Sequence, residues 1–451
     1  VNAEQSDRSG KMLIIGAGFS GLAMAGAFAR YGIAYDQVEA DSDLGGNWLH
    51  GVYDSVHLIT SRRATQLDEW PMPADWPDFP SKAQMLEYLR SYAAHFELRP
   101  SIEFNRRVRR VSAGAGGRWR VELDGGEGRV YDGLVVATGH HWDRRMPSYP
   151  GAFDGELIHS RDYRCLETLR DRRVLVIGGG NSACDIAVEA SRVARSAHIS
   201  MRGGYWFMPK SFFGVPLVEL IPPWMPMGAQ RLFLRAALAV TVGDYRKYGL
   251  QRPDHRIFEK HPTLNAELLQ QLRQGRVHPH PDVARFDQNE VEFLDGTREA
   301  IDIVVAATGF HVRFPFLSED ALRWNGEVPE LVGGLVSPRL RNLYFLGNGQ
   351  PRYGAGPLLS KGAAVIAEMV RVQPLLKHPV GALLQRLGAS VPSSWLVDPH
   401  AAMRAARRAR WLIPRLPAIE ERVMSGGPPS LAKVRGFAGL LGRGWLEATS
   451  R

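Results

Sequence analysis

Two glycine-rich turns, each set between an apolar strand and a helix-like stretch, constrain this chain more than any other feature. The first is Gly16-Ala17-Gly18-Phe19-Ser20-Gly21, directly after Met12-Leu13-Ile14-Ile15. The second is Gly178-Gly179-Gly180-Asn181-Ser182-Ala183, directly after Val174-Leu175-Val176-Ile177. In this context the turn brings a helix N-terminus to a pyrophosphate. Two copies imply two dinucleotides in one chain, and therefore electron transfer from one to the other.

The end of the second strand in each unit indicates which dinucleotide it holds. In the first unit a helix-like segment runs to about Tyr31, and the strand Ala34 to Val38 ends at Glu39. An acid roughly 20 residues past the glycine turn accepts hydrogen bonds from a ribose diol. It also repels a 2′-phosphate, so this site suits FAD. The matching stretch of the second unit, Ala197-His198-Ile199-Ser200-Met201-Arg202, ends on an arginine and has no acid. A guanidinium there pairs bidentately with a phosphate dianion, which makes the second nucleotide NADPH. A solvated strand-end acid and an ordinary surface arginine are the plainer readings of Glu39 and Arg202.

Between the two turns stands Phe153-Asp154-Gly155-Glu156-Leu157-Ile158-His159-Ser160-Arg161-Asp162-Tyr163. It resembles the F-x-G-x-x-x-H-x-x-x-[FY] signature of the flavin-containing monooxygenases, the class B flavoproteins. Gly45-Gly46-Asn47-Trp48 is similar to that family's G-G-x-W, and Ala137-Thr138-Gly139-His140 and Ala307-Thr308-Gly309-Phe310 to its A-T-G segments. Gly249-Leu250 and His261-Pro262-Thr263-Leu264-Asn265 look like a further common stretch. Gly347-Asn348-Gly349-Gln350, followed by Gly354, Gly356 and Pro357, resembles the loop over the flavin edge. A plain glycine-rich turn is the alternative there. The resemblance runs from about Met12 to about Val372.

The resemblance implies a chemistry in which NADPH reduces the flavin and dioxygen adds at C4a to give a hydroperoxide. One oxygen atom then passes to a soft nucleophile, an amine nitrogen or a sulfide sulfur. The flavin carries this chemistry, so no catalytic side chain is assigned. The residues expected at the cofactors are Gly16, Gly18, Phe19, Ser20, Gly21 and Glu39, with Gly46, Asn47, Trp48, Thr60, Thr138, Gly139 and Gln350. His159, Gly178, Gly180, Asn181, Ser182, Arg202 and Thr308 complete the set, His159 in the linker near the nicotinamide. Many relatives carry an asparagine where this chain has Ile59; Thr60 or Ser61 then has to contact the peroxyflavin, and Ile59 otherwise packs a substrate wall. Baeyer–Villiger oxidation of ketones and a largely uncoupled NADPH oxidase or flavin reductase stay open as alternatives. Tyr163 stands where Baeyer–Villiger enzymes normally show tryptophan.

The expected architecture is α/β, with two doubly wound Rossmann-like domains and the NADPH domain inserted into the FAD domain. The FAD domain is expected over residues 10–165 and 310–451, the NADPH domain over 171–309. Trp70 to Pro80 reads as a wall over the flavin, and Met208 to Pro226 as an excursion bordering the substrate cavity. The chain has 451 residues, 45% hydrophobic and 23% charged, with a net charge of +9. Scattered arginines account for the excess, including Arg106-Arg107 and Arg109-Arg110, and basic segments with aromatic interleaving on a nucleic-acid fold are missing, so nucleic acid is not expected as a partner. Two cysteines, Cys165 and Cys184, form no C-x-x-C pair, which excludes disulfide oxidoreductase chemistry and fits a reducing compartment. No metal, no transmembrane segment, a cytoplasmic location and a homodimer are the accompanying expectations. The basic stretch Leu431 to Trp445 is read as a docked helix, with weak peripheral membrane contact as the alternative.

Overall fold

The computed structural model describes residues 5–425 apart from residue 223, so the stretch Leu431 to Trp445 lies outside the described residues. The first apolar run forms the inner half of strand β1 (Gln5–Ile15), followed by helix α1 (Phe19–Tyr31) and β2 (Tyr35–Val38). Gly32, in the left-handed region at φ 66°, ends the helix and turns the chain back. Strands β3 (Ile102–Glu103), β4 (Val108–Ala113), β5 (Trp119–Leu123) and β6 (Gly128–Val136) complete the unit. The order is β3-β2-β1-β6-β5-β4, with Leu343–Phe345 also pairing β6. β6 does two jobs along its length. Its first half pairs antiparallel with β5, and its second half pairs parallel with Leu343–Phe345.

The apolar runs at residues 12–15 in β1 and 134–136 in β6 follow from burial on both faces. Leu13, Leu134, Val136 and Phe345 pack on one side with Trp119 and Phe314. Met12, Ile14, Val135 and Tyr344 face α1 residues Leu22, Met24 and Phe28 and the helix Gly356–Val372. Successive residues thus alternate between two cores, as the period-2 geometry of a strand requires.

The short strand β7 (Asp143–Arg144) pairs antiparallel with Phe310–His311, so the outgoing and returning connections form one ribbon. Arg145 N–H donates to the Gly309 carbonyl (3.0 Å), and the Thr308 hydroxyl donates to the Arg145 carbonyl. Next come β8 (Glu156–His159), β9 (Arg173–Ile177) and, after the helix Asn181–Val193, β10 (Ser196–Ser200). They build a five-stranded sheet ordered His278–His280, β10, β9, Ile303–Ala306, β8. All its pairings are parallel. An antiparallel ribbon, Val283–Asp287, Glu290–Phe293 and Arg298–Ala300, covers one face through Phe286, Val291 and Phe293.

Two boundaries shift from the sequence reading. β8 lies inside the stretch 10–165 yet belongs to the second sheet, because Glu156 to His159 register with Ile303 to Ala306. The second strand of the second unit stops at Ser200, and Arg202 lies two residues beyond it. Residues 207–264 form a separate apolar cluster around Met208, Phe212, Leu234 and Phe258, including the helix Met227–Thr241. Among the described residues no helix is long and apolar enough to cross a membrane.

Candidate functional site

The first glycine turn works by close approach. Gly16 has φ 106°, and a Cβ on it would stand 2.7 Å from the Ala137 carbonyl oxygen. A Cβ on Gly21 would stand 1.9 Å from the Gly16 carbonyl, so this glycine lets α1 seat on the turn instead of touching a ligand. Gly18 caps α1 without a side-chain hydrogen bond, so the first N–H groups of the helix stay open to an anion. Glu39 is buried, and its carboxylate accepts from Ala17 N–H (2.6 Å) and Asp41 N–H (2.9 Å). Burial pushes its pKa above the ordinary carboxylate value, with those backbone bonds opposing.

The second turn repeats the plan with a different support. A Cβ on Gly178 would meet the Ala307 carbonyl at 2.4 Å. The helix Asn181–Val193 again starts without a side-chain cap, at Gly180. The segment His261 to Asn265 clamps this turn from outside. The Thr263 hydroxyl donates to the Gly179 carbonyl (2.8 Å), Leu264 N–H to Asn181 Oδ1 (2.7 Å), and Asn265 Nδ2 to Asp185 Oδ1 (2.7 Å). Tyr53, from the first domain, donates to the other oxygen of Asp185 (2.7 Å).

Both turns open into one cavity of about 1190 Å³. Gly16, Gly18, Phe19, Ser20 and Glu39 line it with Gly46, Asn47, Trp48, Thr138, Gly139 and Gln350; Gly180, Asn181 and Ser182 close it from the second domain. Several polar atoms in its wall are buried with no partner: Thr138 Oγ1, His140 Nε2, Trp142 Nε1, and both amide atoms of Asn348. Each such atom costs about 1–3 kcal/mol while unpaired. A polar, ring-shaped ligand in this cavity satisfies them, so the residues present fit a flavin dinucleotide. His140 Nδ1–H donates to the Gly347 carbonyl (3.2 Å), which leaves Nε2 as an acceptor facing the cavity wall. Burial lowers the pKa values of His140, His141 and His261, so these imidazoles are neutral.

Other expected site residues fall elsewhere. Thr60 and Ser61 are buried but do not line the cavity: the Thr60 hydroxyl pairs with Thr65 (2.8 Å), and Ser61 Oγ caps a short helix at Ala64 N–H (3.3 Å). Ile59 does line it, and packs against the apolar cluster of residues 207–264. His159 has both ring nitrogens engaged, Nε2–H donating to the Gly309 carbonyl (3.0 Å) and Nδ1 accepting from Arg161 N–H (3.1 Å). It pins the connecting ribbon. Gly178 and Thr308 lie behind the wall, and Arg202 is exposed outside it. The stretch Trp70 to Pro80 contributes nothing to the cavity; Trp70 stacks on His95 instead, with 3.9 Å between ring centres. Met208 to Pro226 reaches it only through Ile59.

The sequence reading missed several wall residues. Arg106, whose N–H donates to the Glu39 carbonyl (2.8 Å), lines the cavity with Arg107 and Arg109, where the paired arginines were a usable signal. Arg161 donates to Asn47 Oδ1 (3.2 Å) and to the His141 carbonyl (2.7 Å), joining the signature segment to the first domain. Trp395 and Val397 arrive from the C-terminal region, where Gln350–Pro351 pairs with Leu396–Val397. A buried Arg352–Asp398 ion pair (2.5 Å) holds that contact.

A mixed and a parallel nucleotide-binding sheet facing one shared cavity define a two-dinucleotide flavoprotein. The sequence profile described as flavin-binding monooxygenase-like matches residues 9–342, and the chain belongs to that family, whose cofactors are FAD and NADPH. The chain is 34% identical over 347 residues to flavin-containing monooxygenase 5 of Oryctolagus cuniculus, covering 69% of this chain. It spans 64% of that relative's own length. It is also 34% identical over 324 residues to a protein named probable indole-3-pyruvate monooxygenase YUCCA9 from Arabidopsis thaliana, covering 67% of this chain and 75% of that one. A solved flavin-containing monooxygenase from Stenotrophomonas maltophilia superposes with a TM-score of 0.63 at 26% identity, covering 80% of this chain and 98% of that one.

Proposed function

We propose that this chain is an NADPH- and O2-dependent flavin monooxygenase that transfers one oxygen atom to a soft nucleophile, an amine nitrogen or a sulfide sulfur. The observation that carries the reading is the single cavity shared by both glycine turns, with unpaired polar atoms in its wall. When bound, FAD supplies the redox and oxygen chemistry. The protein's part is holding and shielding. Gly18 and the open end of α1 take the FAD pyrophosphate, Glu39 the ribose, and Thr138 and Asn348 the polar atoms of the ring system. Gly180 to Ser182 take the pyrophosphate of NADPH, and Arg202 its 2′-phosphate. Ile59 and Trp395 furnish an apolar boundary to the reacting end. The neutral imidazoles of His140 and His261 leave that boundary without added positive charge.

The test is NADPH consumption with product mass analysis across amines, sulfides and ketones. A product heavier by one oxygen on nitrogen or sulfur is the expected outcome. An ester formed from a ketone overturns the soft-nucleophile part. Peroxide equal to NADPH consumed with every compound overturns oxygen transfer altogether.

A further inference from the structure

Away from the dinucleotide cavity, three potential metal ligands from distant parts of the chain meet on the second domain. His198 lies in the middle of β10, His280 at the end of the neighbouring strand, and Glu299 in the covering ribbon. Their ligand atoms all lie within 4.8 Å of one another. His198 Nδ1 and His280 Nε2 are 3.0 Å apart. Tetrahedral bonds of about 2.0–2.1 Å to imidazole nitrogen put two such atoms roughly 3.3 Å apart. The rings need to part by only a few tenths of an ångström.

The surroundings already orient these rings as ligands. His198 Nε2 is 3.1 Å from the Ser196 hydroxyl, so an Nε2–H donating there turns the Nδ1 lone pair toward His280, whose Nε2–H it accepts until that proton shifts to His280 Nδ1 and an ion takes its place. A ligating histidine characteristically has its second nitrogen held in this way. The His280 ring stacks on Phe293, with centres 4.0 Å apart and planes at 13°. His198 is buried while His280 and Glu299 are partly exposed, which gives an ion a way in from solvent.

From this geometry we infer that His198, His280 and Glu299 form a binding site for one borderline divalent cation of the zinc class, with water as the fourth ligand. Two imidazoles and one carboxylate suit Zn²⁺, Cu²⁺ or Ni²⁺ better than Mg²⁺ or Ca²⁺, which prefer all-oxygen sets. The ion clips the antiparallel ribbon to the parallel sheet. The clip sits close to the proposed 2′-phosphate reader: Met201 N–H donates to the His280 carbonyl (3.1 Å), and Arg202 follows directly. This makes the site a staple for the edge of the second nucleotide fold, independent of the flavin chemistry.

The test is calorimetric titration of the chelator-treated, FAD-loaded full chain with ZnCl2, followed by thermal unfolding with and without the ion. Saturable binding of one Zn²⁺ per chain and a higher melting temperature are expected. Ser196→Ala, which removes only the orienting hydroxyl, weakens binding about ten-fold. His198→Ala and Glu299→Gln each weaken it more. Glu299→Gln keeps the test usable should the buried histidine variant fail to fold. Absence of saturable binding, or equal affinity in the parent and Glu299→Gln, overturns the site and shows a plain histidine–histidine hydrogen bond. None of these readouts depends on turnover, so failure here leaves the monooxygenase reading untouched.

Discussion

The two nucleotide folds share a turn and differ in how they finish. In the first, the strand-end acid Glu39 is 8% exposed and tied to two backbone N–H groups. Loops from residues 45–48 and 347–350 close over the same space. In the second, Arg202 lies exposed two residues past the strand, and the support comes from the clamp of Thr263, Leu264 and Asn265 on Gly179, Asn181 and Asp185. The lesson is about exchange. On the proposed assignment, a nucleotide at the first turn would be covered by its own domain, whereas one read by the exposed Arg202 would keep its adenosine end near solvent. That is the arrangement expected for a resident cofactor and a visiting one.

The strongest way to break the comparison is Gly21→Val. Its Cβ would stand 1.9 Å from the Gly16 carbonyl, so α1 cannot seat. We expect purified protein without visible flavin absorbance. A yellow, active Gly21→Val chain contradicts the first site as drawn.

Arg202→Ala comes next. Losing a charge-assisted hydrogen-bonded contact costs about 1.5–3 kcal/mol, or roughly ten- to a hundred-fold in NADPH affinity. Bound FAD and the weaker NADH affinity should be unchanged. Equal losses for NADPH and NADH would show that Arg202 does not read the 2′-phosphate.

The smallest effect separates apoprotein from holoprotein. Asn348 buries both amide atoms without partners, so Asn348→Leu should raise the melting temperature of the flavin-free chain. The same change should weaken FAD by about 1 kcal/mol, several-fold in dissociation constant. Stabilisation without any loss of FAD affinity would remove Asn348 from the flavin's contacts.

Much of the fold was legible because both cores sit under continuous apolar strands next to glycine turns. Helix α1 ends at Tyr31 as read. Local signals failed where a contact depends on distant pairing. Nothing in Glu156 to His159 announces that it pairs with Ile303 to Ala306, so these residues read as part of the FAD-domain stretch and its linker. Thr60 and Ser61 were placed at the flavin on alignment alone, but Thr65 and Ala64 lie within a turn of them and take both hydroxyls first. Trp395 was invisible for the opposite reason: it reaches the cavity across a two-residue pairing with Gln350–Pro351, too short to leave a pattern.

The ribbon formed by β7 and Phe310–His311 has a mechanical consequence. A lone linker lets two bodies part, tilt and turn in any direction. Two antiparallel segments laced together by backbone hydrogen bonds resist stretching and splaying but yield to twist, as a torsion bar does. With His159 bolted to Gly309 at its end, and Tyr53 and Arg161 bonded across the domains, the ribbon favours twist over separation. Any relative motion of the two nucleotide folds is therefore expected to be a small twist about the ribbon axis and not a hinge opening.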